Sequence, residues 1–428
     1  MTGYWLSRWI ENSEIDTLGV ARQRLSDPRA AEELIFGAVD DHTKKAILPL
    51  PEARHQLVAS SGLNVSGALA CTSTECIKKR VDQILYRSWH YFDNVLVTGL
   101  SPWSAIDTLK IDGPEAARDK ILRHIDVLLY IRNIGAADVI RFSERPNYCL
   151  EHLQQHAHEA GILSDVEDVT ERLGRLLEKE AAFLALKETP AGLKFALKFP
   201  SVDYVNTGTY VARPLPTSDV LAGIVSREAA RDIVAQLIRD SAFARLNEAS
   251  LGQAARLSDP LVTNAATGAP TSGDVAFNLS LPVIDRLPVA ELLAVRHHEA
   301  ADFQAFRKAL QRAITERLSA ISSGDTAESV ADSVYEDIIE PALITLDRKV
   351  DHAAKIFAKK SVVAASVGTV ATTVGLLAFP PITAAGLAVL VGGMLVNYNE
   401  LLKERKEVEL SDLYFLWRLT DKAAAHVS

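Results

Sequence analysis

The sequence has few cysteines and no excess of basic residues. Only Cys71, Cys76 and Cys149 occur among 428 residues. This small, odd number argues against a disulfide scaffold and for a reducing compartment. Lys and Arg number 46 against 55 Asp and Glu, which gives a formal net charge of -9. Because such a chain has no global attraction for polyanions, we expect no nucleic-acid partner.

Sequence signatures of several known chemistries are also absent. There is no GxxxxGK[ST] phosphate-binding loop, no GxGxxG after a strand, no HExxH zinc motif, no GxSxG nucleophile motif and no paired CxxC. The first residues show no basic stretch followed by an apolar one, so no secretory signal is expected. Together these absences favour a cytoplasmic, non-enzymatic domain.

Apolar periodicity predicts a mainly α fold with a small mixed or antiparallel β-sheet, an α+β class. The clearest helix runs from Glu115 to Ile134, between Pro114 and Gly135. Residues 57–74, rich in small and polar side chains, are predicted to form a loop. Alternation of apolar and polar residues predicts strands at 193–199 and 275–281, which we expect to pair in one sheet.

Composition divides the chain into five parts. Residues 1–257 are predicted to be a helical or α+β cytoplasmic domain, and 258–274, rich in Pro, Gly, Thr and Asn, a linker or long surface loop. We expect 275–360 to be a strand followed by a helical connector. The remaining parts are a hydrophobic helical hairpin at 361–399 and an amphipathic tail at 400–428.

The hairpin is the strongest signal, because no charged residue occurs from Ser361 to Asn399. Phe379, Pro380 and Pro381 separate two apolar arms and are expected to form the turn. A helical first arm would be about 28 Å long, close to the ~30 Å hydrocarbon thickness of a bilayer. The hairpin is therefore a candidate two-helix transmembrane segment.

Small residues and basic flanks add detail to this prediction. Basic residues precede and follow the hairpin but are absent from its turn, so both termini are expected on the cytoplasmic face. Small residues at four-residue intervals are typical of closely packed membrane helices, and they predict self-association. These positions are Ala364, Gly368 and Thr372 in the first arm, followed three residues later by Gly375, and Ala384, Ala388 and Gly392 in the second.

A second candidate site lies on a predicted helix after Pro146. Cys149, His152, His156 and Glu159 follow one another at offsets that place them on one helical face. All four side chains are competent zinc ligands, and Glu159 could instead act as a general base. The spacing matches no recognised zinc signature, so a polar histidine face without metal is the other interpretation. Zinc is the only cofactor that the sequence suggests.

These patterns favour a non-enzymatic, membrane-associated protein. Its cytoplasmic domain would bind an unknown protein or small-molecule trigger, and its hairpin would anchor, insert or oligomerise in membrane lipid. The layout is that expected of a bacterial toxin or phage-defence effector. Two alternatives remain: a soluble helical interaction protein with the hairpin buried as core, and a metal-dependent enzyme using the Cys149 to Glu159 face.

Overall fold

The computed structural model shows a mainly helical chain with one parallel and one antiparallel sheet. The helices are α1 (Trp5–Asn12), α2 (Leu18–Arg24), α3 (Pro28–Lys44), α4 (Thr74–Ser88), α5 (Pro102–Asp112), α6 (Pro114–Asn133), α7 (Leu150–Glu159), α8 (Val166–Glu180), α9 (Ser218–Leu246), α10 (Ser272–Asn278), α11 (Val289–His298), α12 (Ala300–Ser319) and α13 (Ala327–Val334). The strands are β1 (Gln56–Ser60), β2 (Asn94–Thr98), β3 (Ile140–Ser143), β4 (Ala182–Thr189), β5 (Gly192–Phe199), β6 (Tyr204–Tyr210) and β7 (Ser250–Gln253). The structure describes residues 4–44, 55–60, 63, 65, 73–143, 150–159, 166–190, 192–200, 204–253, 270–279, 281, 287–320 and 325–344.

The parallel sheet has the strand order β3-β2-β1-β7. One of its two inner strands, β1, is buried along its whole length. The predicted loop at 57–74 is therefore wrong at its start, where Leu57 to Ser60 are strand. A parallel strand that is buried on both faces has no polar-apolar alternation, so a short run such as QLVAS carries little sequence signal.

Helices cover both faces of the parallel sheet. Leu57 and Ala59 face a hydrophobic core shared with α4 and α6, whereas Val58 contacts the opposite cluster around Phe243 of α9. Parallel neighbours need crossover connections, and α4, α6 and α9 lie within those connections. This is the doubly wound arrangement, in which the sheet is the middle layer.

The antiparallel sheet has the order β4-β5-β6, with β5 in the centre. The strand predicted at 193–199 is confirmed, but its pairing with 275–281 is wrong. Residues 272–278 form α10, because Thr271 and Asp274 make a reciprocal capping box at its first turn. The buried Val275 and Phe277 thus belong to a helix, and no strand begins the predicted connector.

Gly192, the first residue of β5, occupies a position that requires glycine. Gly192 has a φ of 137°, a left-handed backbone conformation that glycine adopts without strain. A Cβ at this position would also overlap the carbonyl oxygen of Tyr210 on β6. Glycine at 192 therefore allows β6 to approach β5 closely. In the β4–β5 pair, Lys187 lies directly opposite Lys194.

Helices from the predicted connector complete the core of the parallel-sheet unit. Phe303 and Phe306 of α12 are buried against Trp89 at the end of α4, with ring centroids 6.2 and 6.3 Å apart. The same hydrophobic cluster includes residues of β1 and β2. The segment after residue 287 is therefore part of this fold rather than a separate spacer.

The hairpin at 361–399, the tail at 400–428 and most of the linker predicted at 258–274 lie outside the described residues. Within the parts that the structure does describe, no helix is both long and apolar enough to cross a bilayer.

Candidate functional site

The carboxyl edge of the parallel sheet, between β1 and β7, is the candidate functional site. The chain continues from β1 to β2 and β3 on one side, and later reaches β7 on the other side. In open sheets of this kind, ligands bind outside the carboxyl ends of the strands at the point where the strand order reverses. Ser60 ends β1 beside Gln253, the last residue of β7.

A buried polar cluster joins α9 to this edge. The Oγ of Ser60 donates a hydrogen bond to an Asp240 carboxylate oxygen at 2.5 Å, and the Nε2 of Gln236 donates to the other oxygen at 2.7 Å. Both Ser60 and Asp240 are fully buried. A buried carboxylate requires such donors, because an unsatisfied charge in the interior is costly. The cluster therefore fixes the position at which the chain leaves β1 for the site.

Replacing Asp240 by alanine is expected to lower the free energy of unfolding by about 2 kcal/mol. The substitution leaves the buried Ser60 hydroxyl without its acceptor, and an unmet buried hydrogen-bonding group costs roughly this much. Asp240→Asn keeps one acceptor oxygen for Ser60, and the Gln236 amide can turn its own oxygen toward the new N–H₂ group, so this variant should lose less than about 1 kcal/mol. Urea unfolding of both variants tests the prediction, and equal losses would contradict it.

The next strand end, at β2, is occupied by the amino-terminal helix. The backbone N–H of Leu100 donates to the Tyr4 hydroxyl at 2.8 Å, and the Trp5 Nε1 donates to the Leu100 carbonyl at 2.7 Å. A Cβ at Gly99 would lie 2.6 Å from the Tyr4 ring, so glycine is needed for this close approach. These contacts cover the carboxyl end of β2, so the candidate site is the part of the edge between β1 and β7.

The opposite, amino edge of the sheet carries a buried cationic and aromatic cluster. Arg296 of α11 donates to the carbonyls of Trp89 and Phe92 at 2.8 and 3.1 Å, and its guanidinium lies 4.7 Å from the centre of the Phe303 ring. Burial lowers the pKa of Arg296 to about 10, so it remains cationic at neutral pH. These contacts anchor α11 to the turn after α4, which is a structural role.

His90 lies in the same region and is fully buried. Its Nε2–H donates to the carbonyl of Ala276 in α10 at 2.9 Å, whereas its Nδ1 has no hydrogen-bond partner among the described residues. Burial, and to a smaller extent the charge of Arg296, lower the pKa of His90 to about 4, although the Ala276 hydrogen bond opposes this shift. The neutral ring therefore connects α10 to the end of α4.

The histidine face lies on α7, as its spacing predicts. His152 is exposed, His156 is half-buried, and the two are one helical turn apart. Cys149 and the side chain of Glu159 lie outside what the structure describes. Among the described residues, no group of three or more His, Cys, Asp or Glu side chains is arranged to hold a metal ion. Zinc binding by this face stays a prediction.

Searches against protein-family models, curated proteins and solved structures gave no significant match.

Sequence patterns alone did not identify the β1/β7 edge. Ser60 lies in a segment that resembles a loop, and Asp240 lies 180 residues away within a helix whose apolar face dominates its pattern. The one available signal was an acidic residue amid buried positions of α9, since Asp and Glu are rarely fully buried without partners.

Proposed function

We propose that this chain is a membrane-associated sensor. Its folded domain binds a small-molecule or protein trigger at the β1/β7 edge, and its hairpin at 361–399 anchors, inserts or self-associates in membrane lipid. Both termini are on the cytoplasmic side in this proposal. A trigger-controlled hairpin of this kind would suit a bacterial toxin or phage-defence effector.

The observation that carries the proposal is the uncharged run from Ser361 to Asn399, 39 residues long. Runs of more than about 18 apolar residues are typical of membrane helices. Lys359 and Lys360 precede the run and Lys403 follows it, the flanking charge expected when both ends stay on one side. Its many small residues would favour contact between helices over isolated arms in lipid.

The topology of the parallel sheet supports the sensing half of the proposal. The β1/β7 edge is the position at which doubly wound sheets bind ligands, and the buried Ser60–Asp240 pair defines its floor. The sequence that follows β1 contains Gly62, Ser66 and Gly67 before the first turn of α4. The amino terminus of α4 follows this segment, and helix amino termini favour anionic groups.

Fractionation of two forms of the protein tests the membrane half. All helices and strands described above precede Lys360, so a chain that ends there keeps every one of them. We expect the full-length chain to remain in carbonate-washed membranes and the shortened chain to be soluble, with an unchanged thermal unfolding transition. The hairpin is then the membrane segment and is dispensable for the fold.

Two other outcomes would contradict the proposal. If both forms are soluble and unfold at the same temperature, the hairpin has no membrane role under these conditions. If the shortened chain loses its cooperative transition, the hairpin is part of the core, as the soluble interaction protein requires.

A further inference from the structure

The outer face of the antiparallel sheet has no covering element among the described residues. On β5, Leu193, Leu197 and Phe199 are buried against α8 and α9, and the intervening residues point the other way. Side chains alternate between the faces of a strand, so the register also assigns residues of β4 and β6 to the outer face. The outer face therefore includes residues of all three strands.

Three lysines lie on the outer face. Lys187 of β4 is directly opposite Lys194 of β5, and Lys198 follows two pleats farther along β5. Like charges directly opposite one another destabilise a strand pair. None of the three has an ion-pair partner in the described part of the chain, although acidic residues outnumber basic ones overall. The outer face is therefore cationic although the protein as a whole is acidic. The opposed lysines destabilise the pairing of β4 with β5.

Apolar and hydroxyl side chains surround the lysines. Val205 pairs with Lys198 and is 42% exposed, and Leu184, at the irregularity in β4, is 60% exposed. Thr207 and Thr209 occupy the remaining outer positions of β6. No acidic and no aromatic side chain occupies an outer position in the paired register.

This composition separates two kinds of anionic partner. Single-stranded nucleic acids are generally held by aromatic side chains on which the bases stack, and the outer face lacks them. Anionic lipid headgroups require basic residues with adjacent apolar groups that reach the interface. Lysine beside exposed Val205 and Leu184 fits the second requirement.

We propose that the outer face docks on the anionic headgroups of a lipid bilayer. Lys187, Lys194 and Lys198 bind lipid phosphates and carboxylates, while Leu184 and Val205 contact the interface. This inference rests on the proposed membrane association and adds a second, reversible contact to it. Such a contact would hold the sensing domain against the leaflet from which the hairpin inserts.

The test uses full-length chains carrying Val370→Arg, so that hairpin insertion does not mask reversible docking. One chain has only this change, and a second also has Lys187→Gln, Lys194→Gln and Lys198→Gln. A matched control carries glutamine at three exposed lysines on other elements, which are Lys79, Lys110 and Lys308. Each is floated with vesicles of phosphatidylcholine alone or with about 30% phosphatidylserine, in about 0.1 M salt.

We expect the parent and the matched control to bind the phosphatidylserine vesicles and to be released by high salt. Each lysine near an anionic surface contributes a factor of about five, so the outer-face variant should bind roughly 100-fold more weakly. Circular dichroism confirms that all three chains retain the same fold.

Three results would overturn the inference. The first is equal binding by the outer-face variant and the matched control, and the second is equal binding to both vesicle types. The third is binding to a single-stranded oligonucleotide that the outer-face variant alone loses, which would assign the surface to nucleic acid. Carbonate-resistant retention of the parent chain would instead count against the hairpin proposal, and docking is then read from the fraction of each chain that high salt releases.

Discussion

Val370→Arg is expected to remove the full-length protein from carbonate-washed membranes. Val370 lies at the centre of the first hairpin arm, nine residues from either end. Insertion scales place the cost of arginine at the centre of a membrane helix at about 2.5 to 3.5 kcal/mol. Because eleven of the 19 residues in this arm are Ser, Thr, Ala or Gly, its insertion has little apolar surplus with which to offset that cost. The expected loss of membrane recovery is about 100-fold.

Val370→Leu is the matched control, because it conserves apolar character at the same depth. It should remain in the washed membrane fraction at the level of the unmodified chain. If the arginine variant is also retained at that level, the first arm does not cross the bilayer. If both variants are lost, the effect is due to packing rather than to charge.

The second large effect is acid destabilisation through His90. The ring is neutral in the folded protein because burial lowers its pKa from 6.5 to about 4. Between these two values the unfolded chain binds more protons than the folded one, so stability rises with pH across this window and falls as the pH decreases. The full difference is about 3 kcal/mol, of which about 2 kcal/mol should be lost by pH 5.

His90→Gln separates this effect from other titrations. Glutamine retains an N–H donor near the position of Nε2, from which the Ala276 carbonyl can accept, but it does not titrate. Urea unfolding from pH 7.5 to about 5 should show a shallower pH dependence in this variant than in the unmodified chain. The exposed His298→Gln is the control, and it should leave the slope unchanged.

Other groups near His90 do not change the direction of this prediction. The charge of Arg296 also disfavours an added proton, whereas Arg307 at the same edge is paired with Asp93 and adds little net charge. His124 of α6 titrates in the same direction, because burial lowers its pKa to about 4 as well. Its side chain is partly exposed to solvent, so we assign the larger share to His90. An unchanged slope in His90→Gln would show that His90 is accessible to protons in the folded state.

Helices and isolated strands were predictable where the local pattern was complete. Helix α6 begins at Pro114 and ends at Asn133, within two residues of the prediction, because its apolar spacing and both end signals are local. Strand β5 was equally evident, since one of its faces is buried and the other is solvated. The end of α8 was not, because the helical pattern continues into β4 at Ala182.

The sequence by itself determined the helical class of most segments, the alternation of β5 and the uncharged run at 361–399, because spacing and composition within a few residues decide each of these. Only the tertiary structure decided that β1 is an inner strand of a parallel sheet, that α10 is not a strand partner of β5, and that Ser60 contacts Asp240. Strand pairing and buried polar contacts join residues far apart in the chain, and their energies depend on what covers each face. The lysines of the outer face illustrate both the local pattern and the tertiary pairing. Alternation along each strand predicts that they point outward, but only the register places Lys187 opposite Lys194.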